Sequence, residues 1–226
     1  MSKLDKIKEQ VEKGERQYRN LVLEIREEED SHTVQGYATT YNEPYYLYRV
    51  KGDDGYTIEV REEVDRHAFD DADMSDVIMQ YNHEGRVFAR LSNGTLTLDK
   101  DDEKGLFITA DLGGTEIGRQ LYEEIKGGYT NKMSFGFTIA QASELREVQP
   151  DNGANEMYVY TIEKIGKLYD VSAVSLPQND FTSISARTIG NGEIADKVTE
   201  RLHEHEMKVE RAKKIEDLRR LIESED

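Results

Sequence analysis

Three short stretches carry residue types that could do chemistry together. NKMSFGFTIA (131–140) sets Ser134 between Met133 and Phe135, DVIMQYNHEGR (76–86) brings an apolar strand to His83, and LYDVSAVSLP (168–177) holds Asp170 among valines and alanine. In a strand side chains alternate, so with Met133, Phe135 and Phe137 toward a core, Ser134 and Gly136 face away from it. A rigid element then presents the serine, with space beside it at Gly136. Such a hydroxyl is either a nucleophile or polar filler. His83 shares a face with Val77, Met79 and Tyr81, and a strand end fixes the ring while leaving one edge open, as a general base requires. A hydrogen-bonded structural histidine is the alternative. Asp170 needs a partner if it is buried, because an unpaired buried acid is costly. A neutral imidazole donating its Nδ1–H would satisfy both groups and set the tautomer for proton abstraction. Backbone amides at a bulge, or a lysine, would satisfy the acid equally well.

The elements that must position these groups read mostly as β. Leu21, Leu23 and Ile25 alternate with Val22, Glu24 and Arg26, the period of a half-buried strand. Strand-like runs follow at TVQGYATTY, YTIEVREEV, DVIMQYNH, RVFARLS, TLTLD and GLFITADL, separated by turn signals at Gly52–Gly55 and Asp101–Gly105. Ile117, Leu121 and Ile125 are four apart, with Thr115 placed as N-cap and Gly127-Gly128 as stop, which predicts one short helix. Beyond it come the Ser134 run, MYVYTIEKIG, the Asp170 run and a last strand around FTSISAR. Many short strands with one inserted helix suggest a closed or nearly closed barrel.

Both ends of the chain read differently. Leu4, Ile7 and Val11 predict a charged helix over residues 1–19. A folded domain then spans 20–189. After Asn191-Gly192, the apolar residues Ile194, Val198, Leu202, Val209, Ile215, Leu218 and Ile222 fall mostly three or four apart among charges. Residues 190–226 therefore read as an amphipathic helical or coiled-coil tail outside the barrel core.

Composition narrows the chemistry. Of 226 residues, 36% are hydrophobic and 34% charged, and 47 acids against 30 bases give a net charge of −17. That balance repels a phosphate backbone, so nucleic acid is not expected as a direct ligand. With no cysteine, thiol nucleophiles, disulfides and thiolate metal sites drop out. No stretch approaches the ~18 consecutive apolar residues of a membrane span, and the charged N-terminus is not a secretory signal. A soluble protein made in a cytoplasm is expected.

Other motifs do not develop. GGTEIG (113–118) lacks the Lys-Ser/Thr of a phosphate loop. His203 and His205 are two apart on the predicted helix and do not face one another, so no metal pair is expected and a solvated face is the reading. His32 reads as exposed, and His67 as a cap of a short helical turn. Nothing selects a glycosidase pair from the 47 carboxylates.

The ordered set GYATTYN (36–42), HAFDDA (67–72), YNHEGRVFARLSNGTLTL (81–98), KGLFITADL (104–112), IKGGYTNKMSFGFT (125–138) and LYDVSAVSLPQND (168–180) resembles the tailed-phage prohead proteases, the capsid maturation enzymes, over roughly residues 33 to 187. That resemblance implies an α+β, herpesvirus-protease-like fold: a closed β-barrel flanked by helices, here with a C-terminal amphipathic tail. It implies a serine endopeptidase without metal or cofactor, acting inside the immature capsid in the host cytoplasm. By match to the family's motifs Ser134 is the nucleophile and His83 the base. The third member is an acid near an L-x-E-V-S block, here Asp170, whereas herpesvirus enzymes use a second histidine. His67 stands where the family usually has glycine, and is the alternative third member. Implied substrates are scaffold, the N-terminal part of the major capsid protein, and the chain itself, with self-association left open. The competing reading is a catalytically silent assembly protein that uses the same barrel and tail for docking.

Overall fold

The computed structural model describes residues 17–25, 31–52, 54–143, 145–151, 153–175 and 192–223. In chain order the elements are β1 (Gln17–Ile25), β2 (Thr33–Thr40), β3 (Tyr45–Lys51), β4 (Thr57–Val64), β5 (Ile78–Tyr81), β6 (Glu84–Arg90), β7 (Leu96–Asp99), β8 (Gly105–Asp111), α1 (Glu116–Lys126), β9 (Lys132–Ala142), β10 (Arg146–Val148), β11 (Glu156–Val174) and α2 (Gly192–Glu223). Of the N-terminal helix expected to Arg19, residues 1–16 lie outside the described set, and Gln17–Arg19 belong to β1. The strand expected around FTSISAR also lies outside it.

The strands pair in the order β3-β4-β11-β9-β1-β2-β8-β7, with β10 and β5 branching off β11 and β6 pairing with β5. Closure into a barrel is not formed among the described residues: the path ends at β3 on one side and β7 on the other. Two features shape the path. The long strand β11 changes partner along its length, pairing in parallel with β4 over Glu156–Ile162 and with β5 over Asp170–Ala173. Between those spans its ladder with β9 shifts register repeatedly, and such bulges bend a strand and raise its twist. On the other side β1 passes from β9, over Gln17–Val22, to β2, over Leu23–Ile25. The path thus has two parts that meet at β1 and contribute to one apolar core.

β9 lies at the centre of this arrangement, hydrogen-bonded to β11 on one side and β1 on the other. Met133, Phe135 and Phe137 share its core face, and the two phenyl rings stack at 4.5 Å. Ser134 and Gly136 occupy the other face, as alternation requires. That face is also buried, which corrects the expectation that the serine looks away from packed protein. α1 forms where its signals place it: Thr115 Oγ1 accepts the Gly118 amide at 3.0 Å, and Leu121, Tyr122 and Ile125 are buried. A Cβ at Gly118 would lie 2.2 Å from the Leu112 carbonyl oxygen, so glycine permits the helix to sit against the end of β8.

The C-terminal helix departs from the expected detached tail. Val198 is part of the apolar core, and Leu202 packs against it. His205, expected on a solvated face, hydrogen-bonds Asp54 at 2.8 Å and stacks on Tyr56 at 3.5 Å. The Tyr56 hydroxyl is pushed up to about 12, by burial first and then by its bond to Glu156. Burial alone would raise the Glu156 carboxyl, but hydrogen bonds from Tyr158 and Tyr56 outweigh it and hold the acid below its ordinary range. Past Glu210 the described side chains of α2 are exposed, Ile215 among them. Among the described side chains the stripe therefore has two parts: Val198–His205 covers the domain, and Ile215 is exposed. No helix among the described residues is long and apolar enough to cross a membrane.

Truncations separate the two parts. A chain ending at Glu206 is expected to melt within about 3 °C of the full chain. One ending at Gly190 loses Val198, whose burial contributes about 1.5–3 kcal/mol, together with the Leu202 and His205 contacts. It is expected to melt roughly 5–10 °C lower in calorimetry.

Candidate active site

His83 does not sit on a strand. β5 stops at Tyr81, which pairs with Glu84 of β6, and the intervening Asn82 and His83 have φ of 50° and 62°. Positive φ at both central residues is the type I′ hairpin turn, which favours asparagine first and glycine second. A histidine at the second position costs about 1 kcal/mol in backbone strain. The end of β11 holds it there. Asn82 N donates to the Ala173 carbonyl at 2.9 Å, Asn82 Oδ1 accepts the Ser175 amide at 3.1 Å, and Asn82 Nδ2 donates to Ser175 Oγ at 3.4 Å.

Asn82→Ala removes the side-chain bonds and the residue's tolerance of left-handed backbone. It should lower stability by roughly 1–3 kcal/mol in urea unfolding. Asn82→Gly keeps the backbone freedom and should lose less. Equal losses in the two variants would show that the backbone conformation contributes nothing.

The turn delivers His83 onto β11. Its Nδ1 lies 2.5 Å from Asp170 Oδ1, with the imidazole 9% exposed and the carboxylate fully buried. Asp170 reaches that face through a bulge. Leu168 pairs with Phe137 and Asp170 with Gly136, so Tyr169 is an extra residue in the ladder. In an unbroken ladder Asp170 would oppose Phe135 and point to the core side. The bulge places it instead with Gly136 and Ser134, re-aiming one side chain.

Ser134 stands directly opposite Ser172 in the β9–β11 ladder, which puts Ser134, Gly136, Asp170 and Ser172 on one face. The serine is 1% exposed, and its Oγ makes no hydrogen bond among the described residues. Ser172 Oγ, in contrast, donates to Asp170 Oδ1 at 2.7 Å. Of the three expected groups, His83 and Asp170 are therefore in contact. Ser134 lies on their face, two ladder positions along from Asp170, without a bond to the imidazole. Ser172 as a donor to the acid was not foreseen in the sequence; its spacing of two from Asp170 on a strand is the only signal it offered.

The other histidines lie apart from this cluster. His67 is exposed in a turn whose capping acceptor is Asp65, which takes the His67 amide at 2.8 Å, and its own Nδ1 lies 3.1 Å from Asp70, so it is bonded elsewhere than to Asp170. His32 packs edge-on against Tyr122 rather than standing free. No grouping of three or more His, Cys, Asp or Glu able to hold a metal occurs among the described residues.

A buried hydroxyl, an imidazole and a carboxylate brought to one face of a rigid sheet are the groups serine hydrolases use for acyl transfer. The chain belongs to the caudovirus prohead serine protease family, whose model matches residues 20–194. It is thus a serine peptidase of the class that matures phage capsids, acting in the procapsid within the host cell. No curated protein and no solved structure matches the chain.

Proposed function

We propose that Ser134 is the nucleophile, His83 the general base and Asp170 the residue that orients the base. The observation that carries this reading is the 2.5 Å contact between His83 Nδ1 and a fully buried Asp170 on the face that also holds Ser134. Asp170 fixes the tautomer with the proton on Nδ1, so that the unprotonated Nε2 is the nitrogen that takes the Ser134 proton as Oγ bonds to the scissile carbonyl carbon. The amine departs with that proton from Nε2, and water, deprotonated by the same nitrogen, hydrolyses the acyl-enzyme. Because Ser134 is covered in the free chain, substrate entry must displace what covers it. The serine–histidine bond then forms in the complex, as catalytic bonds that are loose in free enzymes do.

The substrates we propose are scaffold, the N-terminal segment of the major capsid protein, and the chain itself near the Asn191-Gly192 step. A serine-directed phosphonate incubated with the purified protein should add one mass label at Ser134. Absence of the label, or a label at Ser172 or Ser175, would overturn the assignment and favour a silent assembly role or another nucleophile.

A further inference from the structure

Resting on that reading of the site, we infer that Ser172 is a positioning residue for the reaction: its hydroxyl holds Asp170 in the orientation that meets His83. A carboxylate on a strand has a broad terminal torsion, so the backbone alone does not decide which oxygen faces the imidazole. Ser172 decides it. From the same strand, two residues on, its Oγ donates to Oδ1 at 2.7 Å, the same oxygen that His83 Nδ1 meets at 2.5 Å. Its own place is fixed on both sides, by Ser134 of β9 and by Gln80 of β5 in the ladders. Neither Ser172 nor Asp170 is reached by solvent, so no water competes for the bond.

The two serines that face each other across the ladder thus have different roles. The Ser172 proton is committed to the acid, whereas the Ser134 hydroxyl carries no bond among the described residues and is available for transfer. Without Ser172, the carboxylate can turn about its terminal torsion toward the Ser134 hydroxyl on the neighbouring strand. That hydroxyl would then point its proton at the acid rather than at Nε2. The loss should appear in the bond-forming step and not in binding.

The test measures inactivation by a fluorophosphonate probe for the wild-type chain and for Ser172→Ala, Ser172→Cys and Ser172→Thr. Each is resolved into an affinity and a first-order rate, with the labelled residue mapped and the melting temperature recorded. The wild-type chain should label at Ser134. Ser172→Ala should label there with a first-order rate roughly ten-fold lower, the size expected when one hydrogen bond to a charged group is lost, and with unchanged affinity. Ser172→Cys, which fills the space with a poor donor, should be slow as well and serves if the alanine chain does not fold. Ser172→Thr keeps the hydroxyl and should label near the wild-type rate. A wild-type rate in Ser172→Ala or Ser172→Cys, or a Ser172→Thr chain that melts normally yet labels as slowly as they do, overturns the inference while leaving Ser134 assigned. A wild-type chain that does not label at Ser134 overturns the underlying reading, and that result is distinct.

Discussion

Ser134→Ala is expected to lose peptidase activity by on the order of 10³-fold or more while folding at least as well as the wild-type chain. The two halves of this expectation have separate causes. Activity falls because binding and electrostatic stabilisation remain but nothing forms the acyl bond. Stability holds because the hydroxyl is buried without a hydrogen bond among the described residues, and a buried unsatisfied polar group costs roughly 1–3 kcal/mol. Replacing it with a methyl removes that cost and leaves a void smaller than a water molecule. His83→Ala should be as inactive, and the double variant no worse, since groups acting as one unit do not add. Calorimetry and a capsid-protein cleavage assay check both halves. Retained cleavage by Ser134→Ala would end the assignment, and a sharp drop in its melting temperature would mean that the hydroxyl has a structural bond.

Where the sequence was informative, a local rule sufficed. The cap at Thr115, the four-residue spacing of Ile117, Leu121 and Ile125 and the Gly127-Gly128 stop define α1 because helix ends are set by side chains within one turn of them. Alternation around Met133, Phe135 and Phe137 assigned β9 its two faces correctly. It left open that both faces are covered, since the residues covering the Ser134 face come from elements distant in the chain. MYVYTIEKIG and KLYDVSAVSLP read as two strands, yet they form one continuous β11. Gly166, a conventional break signal, is absorbed within a strand that two parallel neighbours and β9 hold along its length. The tyrosine run at 45–50 forms strand β3, pinned by pairing to β4.

The site follows the same division. Residue types offered Ser134, His83 and Asp170 as candidates and the resemblance gave them roles, while the need of a buried acid for a partner left an imidazole, backbone amides or a lysine open; the imidazole is the partner that forms. The means of bringing them together was not legible. The His83 turn looks like a strand end because Asn-His is a rare stand-in for Asn-Gly, and its left-handed backbone is held by Ala173 and Ser175, far along the chain. The extra residue at Tyr169 leaves no trace in composition or period, yet it decides which face Asp170 takes. Helix α2 shows the converse. Its periodicity was plain, but no pattern says that the stripe is used by the domain as far as His205 and left bare by Ile215.

Asp170→Asn should separate orientation from stability with the second largest effect. The acid is fully buried, and its Oδ1 receives both the imidazole and the Ser172 hydroxyl. An asparagine of the same shape can keep its oxygen toward Ser172, but it carries no charge to stabilise an imidazolium. Turned the other way, its amide donates to Nδ1 and forces the proton onto Nε2, the nitrogen that must be empty to accept from serine. Either orientation slows acylation, and the expected loss is roughly 10³–10⁴-fold in rate. The cost to stability should be small, because the substitution removes a buried charge along with part of its hydrogen bonding. The melting temperature should therefore stay within about 5 °C of wild type. The two readouts exchange places if the acid is only a strut. A chain that melts far lower yet labels with phosphonate at the normal rate in its folded fraction would make Asp170 structural, and the base would then need another orienting group.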